Sequence, residues 1–345
     1  MNQKYHHFIA LLFLLFLLAQ CDFYKNNKIL DLSSSNLEIK LNRFEKKFEK
    51  IDTNNIISSL KSLRSEDSLF FDSYTIQMMR FGRITDTPSV TTKYIREFLT
   101  NKDVRNLHDS VSIKFENIKP IEQELTEAMK YFEHYFPNLA IPKVYSVVSE
   151  FGYNAVTFDS ATLVLSLDMF MGKDFSIYRS IDFPSYKIAR FAPQYIAPNA
   201  MEVLYLQHFG RNELEETSAL VYEMIEKGKK LYFLESMMPE KEKHFLIGYS
   251  PEQLAWCNAS ESDIWAFYNE KDLFYSKSYI EHKKHIDDGP RTAGMPKEAP
   301  GNVGSWVGWQ IVNAYMKNAG GSVTLEQLLK TPAETIMNKS KYKPA

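Results

Sequence analysis

The chain is poor in cysteine and in residues of special backbone geometry. Cys21 and Cys257 are the only thiols among 345 residues, so the fold cannot rest on a disulfide framework. Gly and Pro number 13 and 14, which excludes collagen-like and low-complexity chains. Charge of one sign is missing too, with 41 Lys and Arg against 43 Asp and Glu. No basic field is present to hold a phosphate backbone, and nucleic acid is not an expected partner. Catalytic signatures are equally scarce. There is no H-E-x-x-H, G-x-G-x-x-G, Walker A or G-x-S-x-G, so zincin, nucleotide-binding and elbow-type hydrolase chemistry have no motif to stand on.

What the chain does have is aromatic bulk, with 24 Phe and 20 Tyr, enough for a sizeable core. The N-terminus carries the sharpest signal. Residues 8–19 run without a polar side chain behind Lys4. As a helix this run is about 18 Å long, short of the ~30 Å hydrocarbon core, and it reads as the h-region of a secretory signal. It ends Leu18-Ala19-Gln20-Cys21, a pattern similar to the lipobox of bacterial lipoproteins, in which the Cys is diacylated. Gln20 departs from the small residue usual there. The expectation is a signal peptide over 1–20, a lipidated tether over 21–36, and a single domain over 37–345. A cleaved secreted form and an uncleaved anchor are the alternatives. Two or more acyl chains hold stably where one does not, so the membrane is a partner through the lipid on Cys21. The expected location is the cell envelope, most naturally facing the periplasm; Asp22 alone does not assign a leaflet.

Hydrophobic periodicity sets out the rest. A helical rhythm runs from Leu37 to Ile51, followed by short helices over 56–63, 69–81, 91–99 and 104–115. Pro120 opens a clear amphipathic helix that Pro137 closes. The period then changes to that of strands over 142–148, 154–158 and 162–167, with Asp159-Ser160 as a turn. Helices resume after Tyr178. Asn199 is a candidate cap for a helix over 200–209, a long helix is expected over 213–235, and Ser250-Pro251 opens another that passes Trp256 and Trp265. A loop rich in Pro and Gly leads to helices over 305–318 and 324–329. The fold class is α+β: mostly helical, with one small, mainly antiparallel sheet.

Candidate chemistry is thin. His282 and His285 have metal-like spacing, but the lysines between them oppose a cation, and they read as solvated surface. His208 reads as a satisfied or half-exposed histidine. Glu223 and Glu226 lie on the long helix with Lys229 and Lys230 a turn on, which explains Glu226 by helix pairing alone. Cys257, in an apolar run, reads as a buried structural thiol. Gly228 inside a helix marks close approach of another backbone. Gly308 between Trp306 and Trp309 suggests such contact, against the Gly228 region. Gly228, Tyr232, Trp256, Trp265, Trp306 and Trp309 are the residues offered for a groove or partner surface. No catalytic residue, metal or cofactor is expected. Two other readings stay open: a divergent hydrolase using Glu223, Glu226, Glu261 or His208, and a carbohydrate-binding protein using exposed rings of Trp306 and Trp309.

Several segments taken together resolve more. Residues 228–234 read GKKLYFL, 248–257 read GYSPEQLAWC, 304–312 read GSWVGWQIV and 340–344 read SKYKP, with Glu261 and Trp265 between. With the Cys21 lipobox they span the chain, which resembles the gliding motility lipoprotein GldB family of the Bacteroidetes. The resemblance implies an envelope lipoprotein needed for gliding, working beside the secretion and motor machinery, with no established catalytic activity. It also implies a distant likeness to predicted zinc metallopeptidases, hence a degenerate zincin-like core. The H-E-x-x-H helix of those enzymes is missing here, so no ligand set carries over.

Overall fold

The computed structural model describes residues 29–210 and 218–344. The expected signal segment and Cys21 lie outside them, as do the opening residues of the helix expected from Glu213. The chain divides into a unit of residues 1–35 and a unit of residues 36–345. In the first, the Ser33 amide donates to Asp31 Oδ1 (3.1 Å) and the Ser35 amide to the Leu32 carbonyl (3.0 Å), forming a short turn. All remaining elements belong to the second.

That unit opens with β1 (Leu41–Arg43) and five helices: α1 (Phe44–Glu49), α2 (Ile56–Glu66), α3 (Pro88–Thr100), α4 (Lys102–Lys114) and α5 (Lys119–Tyr135). The helical rhythm expected from Leu37 is corrected here, because the chain stays extended to Arg43. The Ile39 amide donates to Thr126 Oγ1 and the Leu41 amide to Glu122 Oε1, both at 2.9 Å. Side chains of α5 thus satisfy backbone donors that a helix would have used internally. The run expected as one helix over 69–81 is a short α-turn (Ser68–Asp72) followed by a π-helix (Ser73–Met78).

Three strands follow, β2 (Lys143–Val147), β3 (Ala155–Asp159) and β4 (Thr162–Ser166), and the sheet order is β1-β2-β4-β3. β2 pairs parallel to both β1 and β4, and only β3 is antiparallel, to β4. The expectation of a mainly antiparallel sheet is therefore corrected to a mixed one. The reason is topological. β1 reaches β2 through the whole α1–α5 crossover, as parallel pairing requires, and β3 loops out to the edge before β4 returns to the middle. β4 is buried throughout, while β3 is mostly half-buried, as an edge strand should be. One aromatic core holds Phe44, Phe48, Phe70, Tyr74 and Tyr145. Tyr145 stacks on Phe70 at 3.7 Å between centroids and donates its hydroxyl to Asp67 (2.7 Å).

The second half is helical: α6 (Ile196–Phe209), α7 (Leu220–Met237), α8 (Pro251–Ala259), α9 (Glu261–Glu270), α10 (Tyr279–Ile286), α11 (Val303–Ala319), α12 (Leu325–Lys330) and α13 (Ala333–Ser340). α6 begins four residues ahead of the expected start, with Pro198 in its first turn, where a missing N–H does no harm. Asn199 is inside the helix and donates to the Tyr195 carbonyl (2.8 Å) rather than capping. The helix expected through Trp256 and Trp265 is two, α8 and α9, broken at Ser260. Ser250 and Thr324 each close a capping box, with Gln253 and Gln327.

Helices α7 and α11 form the centre of this half. A Cβ on Gly228 would sit 2.3 Å from the carbonyl carbon of Gly308, and one on Gly308 would sit 1.7 Å from the Met224 oxygen. The two backbones touch where each lacks a side chain, as the sequence suggested. Beside this seam Trp309 Nε1 donates to buried Glu235 (3.1 Å), whose other oxygen pairs with Lys243 (3.1 Å). Cys257 is fully buried, and burial pushes its thiol up to about 12.

Candidate functional site

A cleft of about 490 Å³ opens between α6, α7 and the start of α11, within the size range of small-ligand sites. Its walls set apolar side chains, among them Phe151, Phe191, Leu231, Phe245 and Ile247, between polar groups that make up the greater part of the exposed lining. α6 faces it with Asn199, Glu202, Val203 and Leu206, spaced three and four apart so that they fall along one helical face.

Each polar group in the cleft has an identifiable support. Lys230 of α7 reaches across to Glu202 of α6 (2.5 Å). Arg190 grips Asp288 through both terminal nitrogens (2.8 and 3.2 Å) while its Nε donates to the Gly248 carbonyl (2.9 Å). Gly248 ends a short helix, Lys243–Ile247, at φ +77°, and a Cβ there would meet Arg190 Nε at 2.5 Å. That position needs glycine for its backbone and for the guanidinium beside it. Burial alone would raise the Asp288 carboxyl, but Arg190 beside it holds it below the usual range. Asn154 donates to Asn199 Oδ1 (3.2 Å), tying the approach to β3 to α6.

The rim at 149–152 is held from below by Asp168. Its carboxylate, fully buried at the exit of β4, accepts from the amides of Ser149 (3.1 Å) and Phe151 (2.6 Å). Glu150 and Phe151 both adopt positive φ, 52° and 66°, an uncommon state for side-chain-bearing residues. The Asp168 bonds hold them there. Burial raises the Asp168 carboxyl to about 6 against the lowering by those amides.

The deep end of the cleft is the N-terminus of α11. Thr292 fixes it: its hydroxyl donates to the Pro300 carbonyl (2.8 Å) and accepts from the Val303 amide (3.1 Å). The Tyr249 hydroxyl donates to the Gly301 carbonyl (2.9 Å). Asn302, at φ 63°, occupies the cap position without a side-chain cap bond. Asn302 and Ser305 both line the cleft, and their Oδ1 and Oγ atoms, buried from solvent, have no hydrogen-bond partner among the described residues. Ser305 is only 2% exposed, and leaving such a hydroxyl unpaired costs about 1–3 kcal/mol. Close by, Lys227 makes no ion pair among the described residues. Burial first, then the like charge of Lys230, lowers its ammonium against Glu202, Asp287 and Asp288.

None of the residues offered for a groove lines this cleft. Gly228, Trp306 and Trp309 lie in the α7–α11 seam, and both indoles are 1% exposed. The exposed, coplanar rings expected of a carbohydrate groove are therefore not found. Trp265 packs on Phe274 (4.4 Å) and Tyr342 (5.2 Å), while Trp256 is half-buried on α8 and Tyr232 half-buried on α7. The four hydrolase candidates do not meet there either. Glu226 is capped by Lys229 (2.8 Å), Glu261 accepts from the Tyr342 hydroxyl, Glu223 is buried, and His208 packs on Phe132. His282 and His285, expected at the solvated surface, are buried. His282 Nε2 bonds the Ser276 carbonyl (2.7 Å), and His285 lies against Tyr268 and Glu281. Among the described residues no three His, Cys, Asp or Glu side chains cluster as metal ligands.

The residues that build the cleft escape sequence reading because they come from seven separated stretches and form no motif. The one local signal was the Pro- and Gly-rich loop before α11, which delivers Asp288 and Asn302. No helix among the described residues is long and apolar enough to cross a membrane. Neither a curated protein nor a solved structure matches the chain, and the zincin-like core gains no support. The profile of the gliding motility protein GldB, a lipoprotein-type family associated with the cell envelope, matches residues 25–344; with nearly its whole length covered, the chain belongs to that family and is a protein of gliding motility.

Proposed function

We propose that this protein is a lipid-anchored envelope component, held by Cys21 and facing the periplasm, that serves gliding through a binding contact at the cleft rather than through catalysis. Its partners in this reading are other proteins of the gliding and secretion machinery. The observation that supports the reading best is the state of the cleft's carboxylates. Glu202 is committed to Lys230 and Asp288 to Arg190, so neither stands free as a base. Ser305 has no base bonded to its hydroxyl, and the described lining includes no His or Cys. Nucleophilic and acid–base chemistry both need such a neighbour. Polar groups fixed in place among apolar side chains are what recognition needs.

Two experiments test it. Cys21→Ala should move the protein out of the membrane fraction and abolish colony spreading at equal protein level; normal spreading from a soluble form overturns the anchored role. Exchanging the pair, Glu202→Lys with Lys230→Glu, keeps the ion pair and reverses its direction. A contact role keeps most spreading in the double variant while either single change loses it. A general base at Glu202 would fail in the double variant as completely as in Glu202→Gln, and that outcome overturns the non-catalytic reading.

A further inference from the structure

We propose that β3 takes up an extended segment of a partner polypeptide as an added strand along its outer edge, and that this segment runs on from the edge into the cleft. The inference rests on the binding reading of the cleft and names the form in which the partner reaches it.

The two edges of the sheet are treated differently. At β1 and just ahead of it, α5 closes the outward amides: Ile39 donates to Thr126 Oγ1 and Leu41 to Glu122 Oε1, both at 2.9 Å. At β3 no such cover exists among the described residues. The Ser166 amide donates to the Asn154 carbonyl (3.0 Å), and Val156 lies opposite Val164. Bonded pairs alternate in an antiparallel ladder, so Asn154 and Val156 turn their backbone groups to β4 while Ala155 and Thr157 turn theirs away. Neither Ala155 nor Thr157 hydrogen-bonds outward to any described residue. Their N–H and C=O groups are left at the spacing that another strand satisfies. The edge is not defended either. Residues 155–158 read AVTF, without the lysine or proline that keeps an edge unpaired. The one guard is a bulge between Thr157 and Asp159, at the far end of the strand.

The near end leads into the cleft. Phe151, Gly152 and Asn154, which precede β3, line it, and α6 both packs against β3 and lines it. Asn154 Nδ2 on Asn199 Oδ1 (3.2 Å) joins the two walls. A segment paired with Ala155 and Thr157 therefore continues past Asn154 between the rim and α6. Side chains of a strand alternate in direction, so every second one meets Phe151, Leu206 and their apolar neighbours. A second copy offers the same edge, but it brings its own α6 and the bulge that ends β3. An extended segment brings neither and is free to follow the cleft.

The test uses the full-length protein in detergent and one probe, the acetylated and amidated heptapeptide TVTFTVT. Before it is added, hydrogen exchange should find the Ala155 and Thr157 amides unprotected and that of Val156 slow. The peptide should slow both outward amides at least 10-fold. The same peptide N-methylated on its internal amides keeps its side chains but not its donors, and should bind at least 10-fold more weakly. Thr157→Pro removes one outward donor without breaking a bond to β4. It should weaken the peptide about 10-fold with an unfolding midpoint near that of wild type, and the N-methylated peptide decides the matter should this variant not fold. Slow exchange of the outward amides before the peptide is added means that the edge is already covered, by a second copy or by the chain itself, and overturns the proposal. Equal binding of the two peptides, or no protection of Ala155 and Thr157 by the probe, overturns it as well. Failure here is separable from failure of the contact role. If Thr157→Pro spreads normally while Glu202→Lys alone does not, the cleft is still a contact site and its partner does not arrive as a strand. If the Glu202 and Lys230 exchange fails as Glu202→Gln does, the contact reading falls whatever the exchange at β3.

Discussion

Within one turn of α11 the protein changes character. At Gly308 the helix meets α7 so closely that a single methyl group has no room, and the polar groups beside the contact include a bonded chain, Trp309 on Glu235 and Glu235 on Lys243, although Trp306 Nε1 has no partner among the described residues. Three residues earlier, at Ser305 beside the cleft, a buried hydroxyl has no partner among the described residues. The seam is optimised for packing, whereas the cleft gives up stability at the Ser305 and Asn302 oxygens, at the left-handed pair Glu150 and Phe151, and in the buried Asp168 beneath them. Local departures from the best packing and pairing are what a site used for recognition is expected to show.

The largest effect belongs to the seam. Gly308→Leu should lower stability by about 3 kcal/mol or more, since overpacking a tight contact forces the backbones apart. Urea unfolding measures it, and the expected result is a lower midpoint or a protein that does not fold. Gly172, which has open space around it, gives a contrast: Gly172→Ala should cost only what its φ of +110° imposes, about 1–2 kcal/mol. Equal losses at the two sites would mean that the Gly228–Gly308 contact is no tighter than an ordinary helix crossing.

Next in size is a pair of buried titrating groups with opposite signs. His108 is buried on the aromatic side without a hydrogen-bond partner among the described residues, and burial lowers it from 6.5 to about 4. Its stabilisation is full above pH 6.5 and is lost as pH falls toward 4, because the unfolded chain takes the proton first. Asp168, under the cleft rim, is raised from 3.8 to about 6. Its stabilisation is full below pH 3.8 and is lost as pH rises through 6, because the folded form holds its proton longer. Each is worth roughly 3 kcal/mol across its window, at 1.36 kcal/mol per pKa unit. In unfolding curves between pH 4 and 7, His108→Phe should remove the loss on acidification and Asp168→Asn the loss on alkalinisation. Relative to wild type, the two variants should diverge in opposite directions. Parallel curves would mean that neither group titrates there, and the cleft rim would then carry no electrostatic cost.

The same contrast explains what could be read beforehand. Gly228, Gly308, Trp306 and Trp309 were conspicuous because glycine between bulky residues in a helix has few uses, and close approach is one of them. That reading met the seam directly. The helix starts at Ser250 and Thr324, the Pro120 helix and the three strands are legible for similar reasons, since local sequence carries local chemistry. β1 was misread because Leu37, Ile39 and Leu41 alternate for only a few residues before the helical rhythm of α1 begins, and the donors' partners sit about 80 residues away at Glu122 and Thr126. The cleft was invisible for a stronger version of that reason. Arg190, Glu202, Lys230, Asp288 and Ser305 are ordinary residues for their elements, and only the tertiary fold brings them together. The lysine neighbours of His282 and His285 predict a surface position, whereas the helix turns those lysines outward and the imidazoles in.

The smallest expected effect is the most telling about the cleft. Ser305→Ala removes an unpaired buried hydroxyl and leaves the Cβ in place, so no cavity larger than one oxygen is formed. In the free protein it should hold stability unchanged or raise it by up to about 1 kcal/mol, since a buried polar group without a partner is a cost in the folded state only. Gly308→Ala, one turn away, adds a single methyl group and should be clearly destabilising. Thermal unfolding of the two variants side by side therefore predicts shifts of opposite sign from changes of one heavy atom each. A loss of 1 kcal/mol or more at Ser305 would show that its hydroxyl is already bonded in solution, and the difference between the two ends of this helical turn would then be one of packing alone.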